Sequence, residues 1–118
     1  MPNHWSDSEP VVRLLAGRWT LAVLDELAHG GRRYQDLHAA LGSISHKVLT
    51  DTLRRAERDG LVIRGVDHSR IDTATLYQLT DLARSLETPV ESLGRWASRS
   101  WTGVEAARRN WNDRMSDR

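Results

Sequence analysis

Between residues 34 and 59 two helical patterns flank a very short joint. Tyr34, Leu37 and Leu41 mark one helix, which stops at Gly42, and only Ser43-Ile44-Ser45 precede the next periodic stretch, from His46 to about Asp59, with Gly60 beyond its end. Two helices joined so tightly read as a helix-turn-helix. Ser45 is the expected N-cap of the second helix. At about 100° per residue, Leu49, Leu53 and Ala56 fall on one narrow arc, while His46, Lys47, Thr50, Asp51, Arg54 and Arg58 fall opposite. One face of this helix is core and the other is free.

The flanking sequence completes the pattern. Asp7-Ser8-Glu9-Pro10 carries the start signals of a first helix, with Asp7 as cap, ending at Gly17. Trp19, Val23, Leu24 and Leu27 keep helical rhythm in a second, which stops at His29-Gly30-Gly31. Residues 61–66 and 75–79 are β-rich runs separated by a polar stretch that holds Arg70, and they predict a hairpin with a long tip. Thr80-Asp81 then caps a long helical stretch whose seam is Leu82, Leu86, Val90, Leu93, Ala97, Trp101 and Val104. Pro89 is expected to kink that helix or split it in two. The predicted fold is therefore mostly α with a small β-hairpin wing: a winged helix-turn-helix with long C-terminal dimerisation helices. The expected layout is an arm at 1–7 and a DNA-binding domain at 8–101, with a first helix at 8–16 and C-terminal helices at 80–104. A polar tail at 105–118 completes it and is expected to fray.

Composition narrows the function. A chain of 118 residues supports one domain with one core. It has no cysteine, which removes disulfides, thiolate metal sites, cysteine nucleophiles and thiol redox sensing. No apolar run is long enough for a membrane span and the first residues lack the pattern of a secretory leader, so a cytoplasmic protein is expected. The net charge is only +1, but residues 30–70 carry eight basic side chains against five acids, so a modestly basic centre is available to face phosphates. No Ser/His/Asp order, paired catalytic carboxylates or phosphate-cradling glycine loop points to an enzyme. Asp25 and His29 have metal-ligand spacing on a helix but no evident third ligand, so neither metal nor cofactor is expected.

Lys47, the only lysine, sits on the first turn of the proposed recognition helix among Ser45, His46 and Thr50, with Arg54 further along. Such a polar set at a helix start brings side-chain donors and backbone amides to phosphates and base edges together. Arg70, at the hairpin tip, is placed to enter a minor groove. A solvated helix face is the plainer alternative for the same residues.

At this point the sequence resembles the HxlR type of winged helix-turn-helix transcriptional regulators, related in architecture to the MarR group, over about residues 9 to 101. The resemblance is carried by Gly17-Arg18-Trp19-Thr20, Arg33-Tyr34-Gln35-Asp36-Leu37 and Ile44-Ser45-His46-Lys47-Val48-Leu49-Thr50. Leu53-Arg54, Asp59-Gly60-Leu61-Val62 and Tyr77-Gln78-Leu79-Thr80, with Leu86 and Trp96, extend it. It implies a homodimer, formed through the first and last helices, that binds an inverted-repeat operator on double-stranded DNA as a repressor or activator. A repressor of adjacent genes released by a small-molecule effector is the expected role. DNA contacts are implied at Ser45, His46, Lys47, Thr50 and Arg54 and on the wing, where Arg70 is the nearest arginine; Arg33 and Gln35, within a matched run, are grouped with them. The chain departs from the family in lacking its cysteine, and in having Asp72-Thr73-Ala74 where a Pro-Pro-Arg run is usual.

The dimer interface is expected to use Val11, Leu14, Leu86, Val90, Leu93 and Trp101. Of the five tryptophans, Trp19, Trp96 and Trp101 are candidates for the wall of a pocket for a small aromatic effector, with core or interface packing as the alternative. Two other functions fit the same sequence: a winged-helix module that binds protein through the exposed helix, and a small-molecule-binding dimer with little DNA specificity.

Overall fold

The computed structural model describes residues 5–66 and 75–117. The chain divides into two compact units, Met1–Arg84 and Ser85–Arg118. Among the described residues no helix is long and apolar enough to cross a membrane.

In the first unit, a 3₁₀ turn at Trp5–Ser8 leads into α1 (Glu9–Leu15). Asp7 does not take the expected N-cap position. Ser8 occupies it in a right-handed helical conformation with no side-chain cap, and Pro10 lies in the first turn, where no amide bond is lost. Then follow α2 (Thr20–Ala28), a short strand β1 (Arg32–Arg33), α3 (Tyr34–Leu41), α4 (His46–Arg58), β2 (Val62–Val66), β3 (Thr75–Leu79) and α5 (Asp81–Arg84). The hairpin pairs Val62 with Leu79 and Val66 with Thr75. Its tip, including Arg70, lies outside the described residues. β1 adds a third antiparallel strand on the far side of β3, with Arg32 opposite Tyr77 and Arg33 opposite Leu76, giving the order β1-β3-β2.

The core is aliphatic. Val23 and Leu27 of α2, Leu37 of α3 and Leu49 of α4 are fully buried, and Leu53, Ala56, Leu61 and Val62 nearly so. Burying each such leucine contributes about 1.5–3 kcal/mol. The turn between α3 and α4 is anchored from within: Gly42 leaves α3 at φ +70°, a conformation that suits glycine, and Ile44 drops its side chain into the core. α4 ends in a Schellman arrangement around Gly60 at φ +77°, with Gly60 N donating to Glu57 O at 3.0 Å and Leu61 N to Ala56 O at 2.8 Å. Thr80 locks the next corner, its hydroxyl donating to Gly60 O at 2.6 Å and accepting from Ala83 N at 3.1 Å.

The second unit is dominated by α6 (Glu87–Ser116), a helix of 30 residues. The predicted split occurs, but upstream of Pro89: α5 ends at Arg84 and Leu86 is the N-cap of α6. Pro89 thereby falls in the first turn of α6, where its missing N–H costs nothing. Leu82 belongs to α5, so it does not share a helix with the rest of the expected seam. The segment expected as a frayed polar tail continues α6 as far as Ser116. No residue of α6 is buried, and Leu93, Trp96, Trp101, Trp111 and Met115 are exposed on it.

Candidate nucleic-acid interface

α4 combines a sealed underside with an open face. Ser45 is extended and its hydroxyl accepts from Val48 N at 3.1 Å, capping the first turn. Leu49, Thr52, Leu53 and Ala56 are buried beneath, while His46, Lys47 and Arg54 are exposed and Thr50 is half-buried. Thr52 was not on the expected apolar arc; its hydroxyl is buried because it donates to Val48 O at 2.7 Å, one turn back.

Lys47 is 84% exposed and its Nζ donates to Asp51 Oδ2 at 3.0 Å. That hydrogen bond and the ammonium charge hold the Asp51 carboxyl below its ordinary range, with Arg54 and Arg55 adding smaller effects. An exposed i,i+4 pair adds little stability, and its cation remains available to a phosphate.

The start of α4 is braced against α3 by groups that the sequence did not single out. Tyr34 Oη lies 3.0 Å from His46 Nδ1 and 3.3 Å from Thr50 Oγ1, and donates to His46 O at 3.2 Å. His38, one turn along α3, stacks on His46 with ring centroids 3.9 Å apart, and Tyr34 stacks on both at longer range. The i,i+4 spacing of Tyr34 and His38 was a visible signal that the two share a face, but nothing in the sequence indicated that His46 meets them across the turn.

Arg54 borders a cleft of about 250 Å³ between α4 and the sheet, together with Tyr34, Thr50, Arg64 and Tyr77. Arg64 reaches back from β2 to donate to Glu57 at 2.7 Å. Of the remaining predicted contacts, Arg33 is half-buried, in β1 and at the N-cap of α3, and Gln35 is exposed on the first turn of α3. Arg70 lies outside the described residues. Trp19 is half-buried at the start of α2 beneath the Arg18 guanidinium, 5.5 Å from its ring centre. Trp96 and Trp101 are exposed on α6, where Arg108 sits 5.3 Å over the Trp101 ring. Val11 and Leu14 of α1 are half-buried, as are Leu86 and Val90, whereas Leu93 and Trp101 are exposed. His29 Nδ1 lies 2.9 Å from the backbone carbonyl of Asp25, so this pair ties off the end of α2 through the main chain.

A capped, exposed polar helix braced by its partner across a short turn, with a hairpin alongside, is the arrangement of a winged helix-turn-helix. Comparison with known proteins agrees. The chain is 31% identical over 90 residues to the HTH-type transcriptional regulator YtcD of Bacillus subtilis, covering 76% of this chain and 71% of the relative. It is 29% identical over 101 residues to the HTH-type transcriptional regulator YtfH of Escherichia coli, covering 86% of this chain and 79% of that one. Among solved structures it is similar to a MarR-family transcriptional regulator from Enterococcus faecalis V583, with TM-score 0.73, 31% identity and coverage of 91% of this chain and 96% of that chain. Reduced YodB of B. subtilis shares the fold at TM-score 0.75 and 24% identity, over 82% of this chain and 94% of that chain. The HxlR-like helix-turn-helix family matches residues 14–105, and the chain, a transcriptional regulator of helix-turn-helix type, belongs to that family.

Proposed function

We propose that this protein is a homodimeric, sequence-specific regulator that lays the start of α4 in the major groove of each half of an inverted-repeat operator and represses adjacent genes. The observation that carries the reading is the open face of α4. Ser45 is committed to capping; His46, Lys47 and Arg54 project from the first turns with Thr50 among them; and the opposite face is buried. Arg33 and Gln35 on the neighbouring helix and Arg70 on the wing are the proposed flanking contacts. Two such helices in a symmetric dimer would sit about 34–36 Å apart, one turn of B-DNA.

The proposed dimer contact runs along α1 and α6 through Val11, Leu14, Leu86, Val90, Leu93 and Trp101. Its support is the uncovered apolar stripe of α6, which has no buried residue. Release by a small-molecule effector belongs to the same reading, and it is supported by a quinone-bound structure of YodB among the similar folds. This chain has no cysteine, so its effector acts without thiol chemistry. Trp19, Trp96 and Trp101 are the proposed aromatic surfaces for it.

The test is fluorescence anisotropy with the DNA upstream of the protein's own coding region, a scrambled duplex as competitor, at two salt concentrations. Tight binding that discriminates between the duplexes is expected, with Lys47→Ala weakening it and lowering the salt slope by about one per contact removed. Equal, weak binding to both duplexes overturns the operator reading and favours a protein-binding module instead.

A further inference from the structure

The last turns of α4, on the side that meets α1 and the start of α2, border a second cleft of about 340 Å³. Its floor is Thr52, Ala56 and Leu61, all buried, and its walls include Pro10, Asp59 and Leu14, the last of which also belongs to the proposed dimer contact. Arg13, Arg55 and Arg58 surround it. Two of these guanidiniums are already neutralised by neighbours on the chain. Arg13 is paired with Glu9, and Arg58 Nε donates to Asp59 Oδ1 at 3.1 Å.

Arg55 differs. Among the described residues no carboxylate pairs with it, and its Nη2 makes a long 3.5 Å contact to the Thr52 hydroxyl. Thr52 has spent its own proton on Val48 O, so it offers the cleft only lone pairs. The Arg55 Nη2 atom also lies 3.6 Å from where a Cβ on Gly17 would stand, which places the guanidinium over the bare backbone ahead of α2. α2 begins there without a side-chain cap, so the positive end of its dipole adds to the same field.

The cleft therefore presents, in Arg55, one guanidinium with no carboxylate hydrogen-bonded to it among the described residues, above a largely apolar floor and in a volume within the ordinary range of small-molecule sites. A free guanidinium matches a carboxylate in a planar two-point fork. An inorganic polyanion would bring more charge than the cleft balances and would leave the apolar floor unused. We propose that this cleft binds a small organic monocarboxylate, its head group on Arg55 and its apolar body against Pro10, Leu14 and Ala56. The site joins α1 to the same helix that carries the DNA-reading face, so its occupancy bears on that helix. That consequence rests on the regulator reading; the binding itself does not.

The experiment is ¹⁵N-detected titration of the full chain without DNA, using benzoate and hexanoate, with benzamide as neutral isostere and inorganic phosphate as polyanion. Saturable shifts at Thr20, Thr52 and Arg55 are expected with at least one carboxylate and absent with benzamide. Arg55→Gln is expected to weaken the carboxylate by at least about tenfold, while Arg18→Gln, outside the cleft, leaves it unchanged. Arg55 is exposed, so its replacement keeps the fold, and the comparison of benzoate with benzamide on the unaltered protein tests the proposal without any variant. Equal response to benzamide, unchanged affinity in Arg55→Gln, tighter binding of phosphate than of either carboxylate, or no saturable shift overturns it. Because DNA is absent, this result is separate from the outcome of the operator assay.

Discussion

The imidazoles of His38 and His46 lie face to face, with ring centroids 3.9 Å apart and planes within 5°. One belongs to α3 and the other opens α4, so the contact spans the turn of the helix-turn-helix and ties the first turn of α4 to α3. Tyr34 completes the brace through its hydroxyl, which reaches His46 and Thr50 on successive turns of α4. Replacing His38 by Ala is expected to cost about 0.5–1.5 kcal/mol of stability, and Tyr34→Phe a similar amount through its lost hydrogen bonds. Both variants are expected to lose more in operator affinity than in stability, because they loosen His46 and Thr50, which the proposed function places against the DNA. Chemical denaturation and anisotropy on the same preparations separate the two effects, and equal losses in both would reduce the brace to ordinary packing.

The Asp51 carboxyl is expected to titrate below the ordinary range, with its hydrogen bond from Lys47 as the main cause. The folded value is depressed, so the contribution to stability is present above the unfolded carboxylate pKa and is lost as pH falls through the folded one. In Lys47→Ala the carboxyl should titrate at higher pH and this acid-side increment should shrink, with Arg54 and Arg55 keeping part of the shift. Carbon-detected titration of the Asp51 carboxyl in both proteins measures it.

Gly60 carries the end of α4 at φ +77°, and a Cβ there would stand 3.4 Å from Leu82 Cδ2. The left-handed backbone sets the penalty more than the contact does, since 3.4 Å is tight but not a clash. Gly60→Ala is expected to lower stability by about 1–2 kcal/mol with DNA specificity unchanged. Thermal melts and the operator assay check the two halves of that statement.

How far the sequence could be read depended on the range of the interactions. α4 was legible because its cap, apolar arc and terminating glycine are all local to 45–60, and the structure has Ser45, Leu49, Leu53, Ala56 and Gly60 in those roles. β1 was not, because Arg32 and Arg33 carry no strand pattern of their own and become a strand only by pairing with Tyr77 and Leu76. The His38–His46 stack was hidden for the same reason, since it depends on the path of the turn. The extent of α6 was misjudged on different grounds. The sparse apolar residues after Val104 suggested a tail, yet Trp111 follows Val104 by seven residues and Met115 follows Trp111 by four, so both continue its face.

That continuous face supplies the last prediction. α6 has no buried residue, and Leu93 and Trp101 expose 60% and 44% of their surface along a stripe that Trp111, at 56%, prolongs. Leaving such a stripe in water forgoes roughly 25 cal/mol for every Å² of apolar surface that a partner would cover. In the proposed homodimer a second copy would cover it symmetrically, stripe on stripe, which is how most homodimers close. The protein is therefore expected to sediment as a dimer at micromolar concentration. Leu93→Glu combined with Trp101→Glu should shift it to monomer, because like charges would then face each other across the twofold axis. Both positions are exposed within the chain, so the variant should keep its helical circular dichroism while losing operator affinity, one reading helix no longer being tethered to the other. A native chain that sediments as a monomer at that concentration would remove the interface, and with it the inverted-repeat geometry that the dimer supplies.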